Sequence, residues 1–407
     1  MKLSKALCRL IFGLTFILSG FLKLTDPIGT GLIIQEYLTV FSMRFLDFAS
    51  IVGLGIALSA IEFVIGISIL LGLRMRFFTW LGLGFISFFT LLTLYLALFN
   101  PITDCGCFGE AIHLTNWETF YKNLVLLTCA LVLFFNRKSF IPIAYAAFEW
   151  VSVGLFFGIA LLIAIPSYYN IPQIDFTVYK IGTDLDMLTR ESHAEYETIF
   201  LYSKDGKQQE FDLNDLPDST WTFVNSRTEL ISGSPELAQV DISLRDTAGE
   251  YRTEVLLQEG PLVAGVIWDP EEMTPQMWTN LVILKSETLS EGSRFILLSS
   301  VREFDGNQAE AFFPQEIIYT ADRKALMTLV RSNGGGVYFF DGTIIHKWAS
   351  RRITAKRVSD ILSEDSDQVV LNDSIHQRLY INILLISIIL IVILMRYFCK
   401  SFYTHKG

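Results

Sequence analysis

Residues 77–99 read FFTWLGLGFISFFTLLTLYLALF, and the chain then runs Asn100-Pro101-Ile102-Thr103-Asp104-Cys105-Gly106-Cys107-Phe108-Gly109. An uncharged apolar run of that length predicts a membrane-spanning helix, because crossing the hydrocarbon core takes about 20 such residues. Cys105 and Cys107 therefore lie where a membrane segment meets water. A disulfide needs Cα atoms about 4.4–6.8 Å apart, so a Cys-x-Cys pair closes only where the backbone turns sharply. Gly106 supplies that freedom. So tight a ring is strained, and strained or exposed disulfides are the labile, catalytic ones. It also encloses too short a loop to stabilise the fold much through chain entropy. The pair reads first as redox chemistry and second as a static loop staple.

Working outward, the same criterion gives six candidate spans, roughly 6–24, 48–72, 77–99, 119–136, 141–166 and 379–398. With 51% hydrophobic and 14% aromatic residues over 407 positions, the chain is too apolar for an ordinary soluble protein. The expected fold class is a multi-pass α-helical membrane protein with a soluble α/β domain inserted before its last helix. Residues 1–140 would form a four-helix membrane domain, 141–166 a fifth helix, 167–376 the soluble domain, and 377–407 the sixth helix and a basic tail.

Cations near membrane ends prefer the cytoplasm. Lys2, Lys5, Arg9, Arg74, Arg76, Arg137, Lys138, Arg396, Lys400 and Lys406 all fall on one side if both termini are cytoplasmic. Lys23, Arg44, Lys122 and Arg378 break the pattern. The expected location is the inner membrane, with the cysteine loop and the soluble domain sharing the periplasmic or extracellular side, where disulfides persist. Residues 167–376 carry 34 acidic against 18 basic residues. So acidic a domain argues against nucleic acid or anionic lipid as its partner. A first segment with no small-residue cleavage site after it is expected to be retained, and Cys8 precedes its apolar run, unlike a lipoprotein cleavage site.

Of the remaining cysteines, Cys8, Cys129 and Cys399 read as apolar fillers. Two thiols with only His113 nearby are too few for a closed zinc site. Two carboxylates fall inside spans: Glu62 near the middle of the second, and Glu149 about a third of the way into the fifth. Ionisable groups at that depth face a cavity or the bundle interior. Glu62 is either a proton carrier for thiol or quinone chemistry or a structural hydrogen-bonding group. Thr115-Asn116-Trp117-Glu118 has the form of a capping box, which would start the fourth helix at Thr115 and give the cysteine loop a fixed exit. A helix N-terminus there lowers a thiol's pKa, while Asp104 beside Cys105 opposes it.

Ser19-Gly20-Phe21-Leu22-Lys23-Leu24-Thr25-Asp26-Pro27, Ile33-Ile34-Gln35-Glu36-Tyr37-Leu38, Glu62 and Asp104-Cys105-Gly106-Cys107-Phe108-Gly109 together resemble the DoxX-like and MauE (methylamine utilisation) membrane proteins over residues 5–136. The resemblance implies a four-helix unit similar to that of vitamin K epoxide reductase-like enzymes, active in disulfide formation or quinone-linked thiol oxidation. It implies catalytic roles for Cys105, Cys107 and Glu62, and motif roles for Lys23, Asp26, Asp104, Gly106, Phe108 and Gly109. A membrane quinone is the implied electron acceptor, and an envelope protein the client or redox partner. The vitamin K epoxide reductase-like enzymes use Cys-x-x-Cys where this chain has Cys-x-Cys.

In the soluble domain, 261–268 reads as a buried strand, 271–291 as a helix, 294–298 as a strand, 321–331 as a helix, and 337–345 as a hairpin turning at Asp341-Gly342. This order resembles a thioredoxin-like fold. Trp268-Asp269-Pro270-Glu271 stands where that fold's cysteines would fall, Gly335 or Gly336 replaces its proline, and the domain is free of cysteine. Gly334-Gly335-Gly336 lacks the lysine of a phosphate-binding loop and predicts a turn. No Ser/His/Asp or kinase pattern appears, and no inverted repeat argues for a transporter. Two functions stay open: a thiol-disulfide redox protein, or a non-enzymatic membrane scaffold whose external domain binds a partner.

Overall fold

The computed structural model describes residues 2–43, 46–102, 105–140, 145–192, 195–204, 207–211, 221–232, 242–302, 304 and 312–404. Among these, six helices are long and apolar enough to cross a membrane. They are α1 (Lys2–Thr25), α3 (Phe48–Leu71), α4 (Met75–Phe99), α5 (Asn116–Phe135), α6 (Ala146–Tyr169) and the apolar part of α11 (Ser366–Thr404). The first five share one core, in which Phe12, Phe63, Leu126, Leu133, Phe156 and Ala160 are buried. Helices in lipid associate where small residues let backbones meet. A Cβ on Gly20 would stand 2.7 Å from the Phe63 backbone nitrogen, so only glycine lets α1 and α3 approach this closely. The last span hardly joins this core, touching it through Leu384 and Ile391.

The spans differ from sequence expectation where polar residues continue a helix. The sixth helix was expected at 379 but begins at Ser366, because its polar first turns lie against the soluble domain and bury Val369 there. The fifth begins at Ala146 and runs to Tyr169, three residues beyond the expected end. Glu149 therefore sits in its first turn, buried, and not a third of the way in. It lines a cavity with Arg74, Arg76 and Arg137, at the end of the bundle away from the cysteines.

A helix with no counterpart in the expected set, α2 (Pro27–Val40), follows α1 directly. Asp26 caps it, its carboxylate accepting from Gly29 N at 2.9 Å, and Pro27 occupies the first helical position, where a missing N–H costs nothing. At 14 residues it is too short to span. Its Ile28 and Leu32 are instead buried in the core of the soluble domain.

That domain is built on a five-stranded sheet of order β6-β5-β4-β7-β8. Strands β4 (Pro261–Ile267), β5 (Arg294–Ser299) and β6 (Ile318–Thr320) are parallel, and β7 (Gly335–Phe340) and β8 (Thr343–Trp348) add antiparallel. The β7–β8 hairpin turns at Asp341-Gly342 as expected, both residues having positive φ. Between the strands lie α8 (Pro275–Ser290) and α9 (Arg323–Leu329), and α10 (Ala355–Ser363) follows β8. One face packs on α9 and α2, the other on α8, α10 and the start of α11. The short helix α7 (Leu185–Ser192) leads to a separate antiparallel sheet of order β2-β1-β3, made of β1 (Glu195–Lys204), β2 (Lys207–Phe211) and β3 (Thr222–Ser232).

Candidate functional site

The α4–α5 loop is shaped by its backbone before its side chains matter. Gly106 has φ +61°, in the left-handed region that favours glycine, and a Cβ there would collide with Ile33 of α2. Gly109 N then donates to Gly106 O at 3.1 Å, closing a turn over the second cysteine. The exit is the expected capping box, with Thr115 and Glu118 bonding reciprocally at the start of α5. Asn116 ties the entrance to the exit, its Nδ2 donating to Ile102 O and to Asn100 Oδ1, both at 2.7 Å. Asp104 lies outside the described residues.

This loop brings the two thiols together. Cys105 Sγ lies 2.9 Å from Cys107 Sγ, and both cysteines are free. Their carbonyls are held from two other helices: Ser19 Oγ of α1 donates to Cys107 O at 2.5 Å, and the Tyr37 hydroxyl of α2 donates to Cys105 O at 2.9 Å. Thr119 Oγ1, in the first turn of α5, is 3.3 Å from Cys105 Sγ. The thiols are electrostatically unequal. The hydrogen bond from Cys105 and, against the opposing effects of burial and Glu62, the charges of Lys122 and Lys23 pull the Cys107 thiol down to about 6. Cys105 is pushed up, first by that same hydrogen bond and then by burial. One sulfur is thus poised as thiolate nucleophile and the other as its proton-bearing partner.

Beneath the pair, Lys23 Nζ is 2.8 Å from Glu62 Oε2. Glu62 faces a cavity as expected, and the group it pairs with is a lysine. Lys122 Nζ lies 4.4 Å above the Phe108 ring, a cation–π distance that fixes the lysine beside the loop. A cavity of about 170 Å³ opens on this group, lined among others by Tyr37, Glu62, Phe85, Phe88, Cys105 and Cys107. Asp26, the α2 cap, faces the soluble domain: Arg331 Nη2 lies 2.9 Å from its Oδ2 and 3.0 Å from Glu110 Oε1, with the arginine side chain only 3% exposed.

Sequence reasoning named Lys23, Asp26, Glu62, Cys105, Gly106, Cys107, Phe108 and Gly109, and the structure brings them to one end of the bundle. It missed Tyr37, Glu110, Thr119, Lys122 and Arg331 as contributors. For Lys122 a signal existed: Lys23 and Lys122 are two of the four cations that break the positive-inside pattern, and both act on Cys107. Cys8 and Cys129, expected as apolar fillers, pack in one apolar cluster of the bundle.

Residues 196–233 match a family described as a domain of unknown function (DUF8463), covering the β2-β1-β3 sheet. No curated protein and no solved structure matches the chain. Residues 1–136 match the family model described as methylamine utilisation protein MauE, and the match covers the helices and the loop that assemble this thiol site.

Proposed function

We propose that the chain is a membrane thiol–disulfide redox protein in which Cys105 and Cys107 cycle between dithiol and disulfide. The reading rests on one observation: a sulfur favoured as thiolate stands 2.9 Å from a buried partner thiol at the wall of an apolar cavity. In the disulfide state a client thiolate attacks Cys107 Sγ, the more accessible sulfur. The Cys105–Cys107 bond breaks, and Cys105 leaves and takes up a proton. A second client thiolate then displaces Cys107, so the client loses two electrons and the pair gains them.

Return to the disulfide releases two electrons and, with Cys107 already ionised, one proton from Cys105. The aromatic walls Phe85 and Phe88, with the Tyr37 hydroxyl and the Lys23–Glu62 pair, fit a flat, mostly apolar ring with polar edges. A membrane quinone bound there supplies an acceptor for two electrons and two protons. Lys23 and Glu62 hold a proton at the cavity floor for that transfer.

We place the protein in the inner membrane with both termini cytoplasmic and the thiol loop and soluble domain outside. The positive-inside count supports this, as do the Asp26 and Glu110 contacts to Arg331 at the loop end of the bundle. We read the five-stranded unit as a degenerate thioredoxin-like domain, on the strength of its β4-α8-β5 crossover and its β7–β8 hairpin beside β4.

One observation favours a scaffold role for that domain. The loop where active cysteines would stand is filled: Asn333 Oδ1 accepts from Trp268 N and Asp269 N at 3.0 and 3.2 Å. Arg323 binds Asp269, and Trp268 packs on Phe48 of the membrane unit.

Trapping the thiols in intact membranes, with and without a reductant and then a quinone analogue, tests the redox reading. Reduction followed by quinone-dependent reoxidation supports it. A pair locked in either state whatever is added overturns it and leaves the scaffold.

A further inference from the structure

Arg331 is a buried cation between the two parts of the chain, and its hydrogen bonds run to both flanks of the thiol pair. Its Nη2 reaches Glu110, three residues after Cys107 in the same turn. Its Nε reaches Asp26 Oδ2 at 3.1 Å, while Asp26 Oδ1 caps α2, the helix whose Tyr37 holds the Cys105 carbonyl. Its Nη1 donates to Met327 O at the end of α9, fixing the guanidinium to the soluble domain. A planar fork bonded on three sides is a geometric constraint as much as a charge.

We propose that Arg331 is the positioning residue through which the external domain sets the geometry of the Cys105–Cys107 loop, so that the reactivity of the thiols depends on the docked state of that domain. The inference rests on the redox reading for its importance but not for its test. Without the arginine, the buried Asp26 and the half-buried Glu110 are two acids facing each other. Held by one guanidinium, they lock the turn after Cys107 and the cap of α2 in a single arrangement. A partner that bound the external domain and drew α9 away would release both.

The test uses the full-length protein in detergent or nanodiscs and reads the rate of Cys107 alkylation against pH in a Cys105-containing background. The charged groups facing Cys107 are Cys105, Lys23, Glu62 and Lys122, and none of them is altered. Arg331→Met is expected to move the midpoint of the profile upward by about one pH unit, slowing alkylation several-fold near pH 6.5, and Arg331→Lys to recover part of the shift. The triple variant Asp26→Asn, Glu110→Gln, Arg331→Met removes all three charges, leaving no buried ion unpaired, and so serves if the single variant fails to fold. A folded Arg331→Met or triple variant with the wild-type profile overturns the proposal. Alkylation of the free thiols needs no turnover, so a pair that stays as free thiols whatever is added defeats the redox reading alone, and an unmoved profile in a cycling protein defeats this inference alone.

Discussion

Lys23 Nζ on α1 and Glu62 Oε2 on α3 are 2.8 Å apart, with side chains only 16% and 9% exposed, directly beneath the thiol loop. Two charges that leave water together are interdependent, and removing one strands the other at a cost of roughly 3–5 kcal/mol. Glu62→Leu and Lys23→Met are each expected to destabilise the protein by about that much, and the double replacement to recover most of the loss. Thermal unfolding in detergent checks this. Equal additive losses in the double variant would mean that the ion pair carries no coupling.

The second expectation concerns the two sulfurs. Because the hydrogen bond from Cys105 is the largest cause of the lowered Cys107 pKa, Cys105→Ala should carry the alkylation midpoint of Cys107 from about 6 back toward the ordinary thiol range near 8.5. At pH 7 that converts a mostly ionised sulfur into a few per cent thiolate, a fall of at least tenfold in rate. Lys122→Met should give a smaller shift in the same direction. A profile that Cys105→Ala leaves in place would remove the cooperative pair from the mechanism.

Gly106→Ala adds a left-handed non-glycine residue, costing about 1–2 kcal/mol, and drives a methyl into Ile33. The loop should open, and the rate at which Cys105 and Cys107 oxidise to a disulfide should drop by more than tenfold. Ile33→Ala in the same chain relieves the collision but not the φ, so it should restore the rate only in part. Mass spectrometry of oxidised peptides after timed quenching reads both effects.

His346 on β8 stacks edge-on beside Trp348 at 4.9 Å, and burial pulls its pKa down to about 4. With the unfolded value near 6.5, the unfolded chain binds the proton first as the medium acidifies. The contribution of this residue is complete above pH 6.5 and is lost as pH falls toward 4, at up to about 1.4 kcal/mol per pH unit. His346→Gln should flatten that part of the stability profile of the five-stranded-sheet domain. An identical slope in the variant would assign the acid sensitivity elsewhere.

Elements fixed by neighbours in the chain were legible, and elements fixed by distant ones were not. The hairpin at Asp341-Gly342 and the capping box at Thr115–Glu118 are local chemistry, and both form where the pattern put them. The proximity of Cys105 and Cys107 is nearly covalent and needed only Gly106 between them. The helix α2 escaped because apolarity marks spans, whereas this helix is apolar toward a soluble domain and too short to cross. Thr119 carries no charge and no motif, and Tyr37, though it stands in the Ile33–Leu38 run, is uncharged, so nothing in the one-dimensional pattern ties either to a cysteine. Glu149 was placed too deep because the span was drawn from hydropathy at 141, and its helix starts at Ala146.

Arg331 lies 305 positions after Asp26 and 221 after Glu110. A ribosome feeding this chain into a membrane therefore delivers the two acids and both thiols long before it delivers their common counter-ion, and contacts so remote in sequence close last. The half-made protein already carries both cysteines and both acids before Arg331 exists to join them. On the redox reading proposed above, translation itself would time the moment at which the thiol centre is complete, because Arg331 is made last.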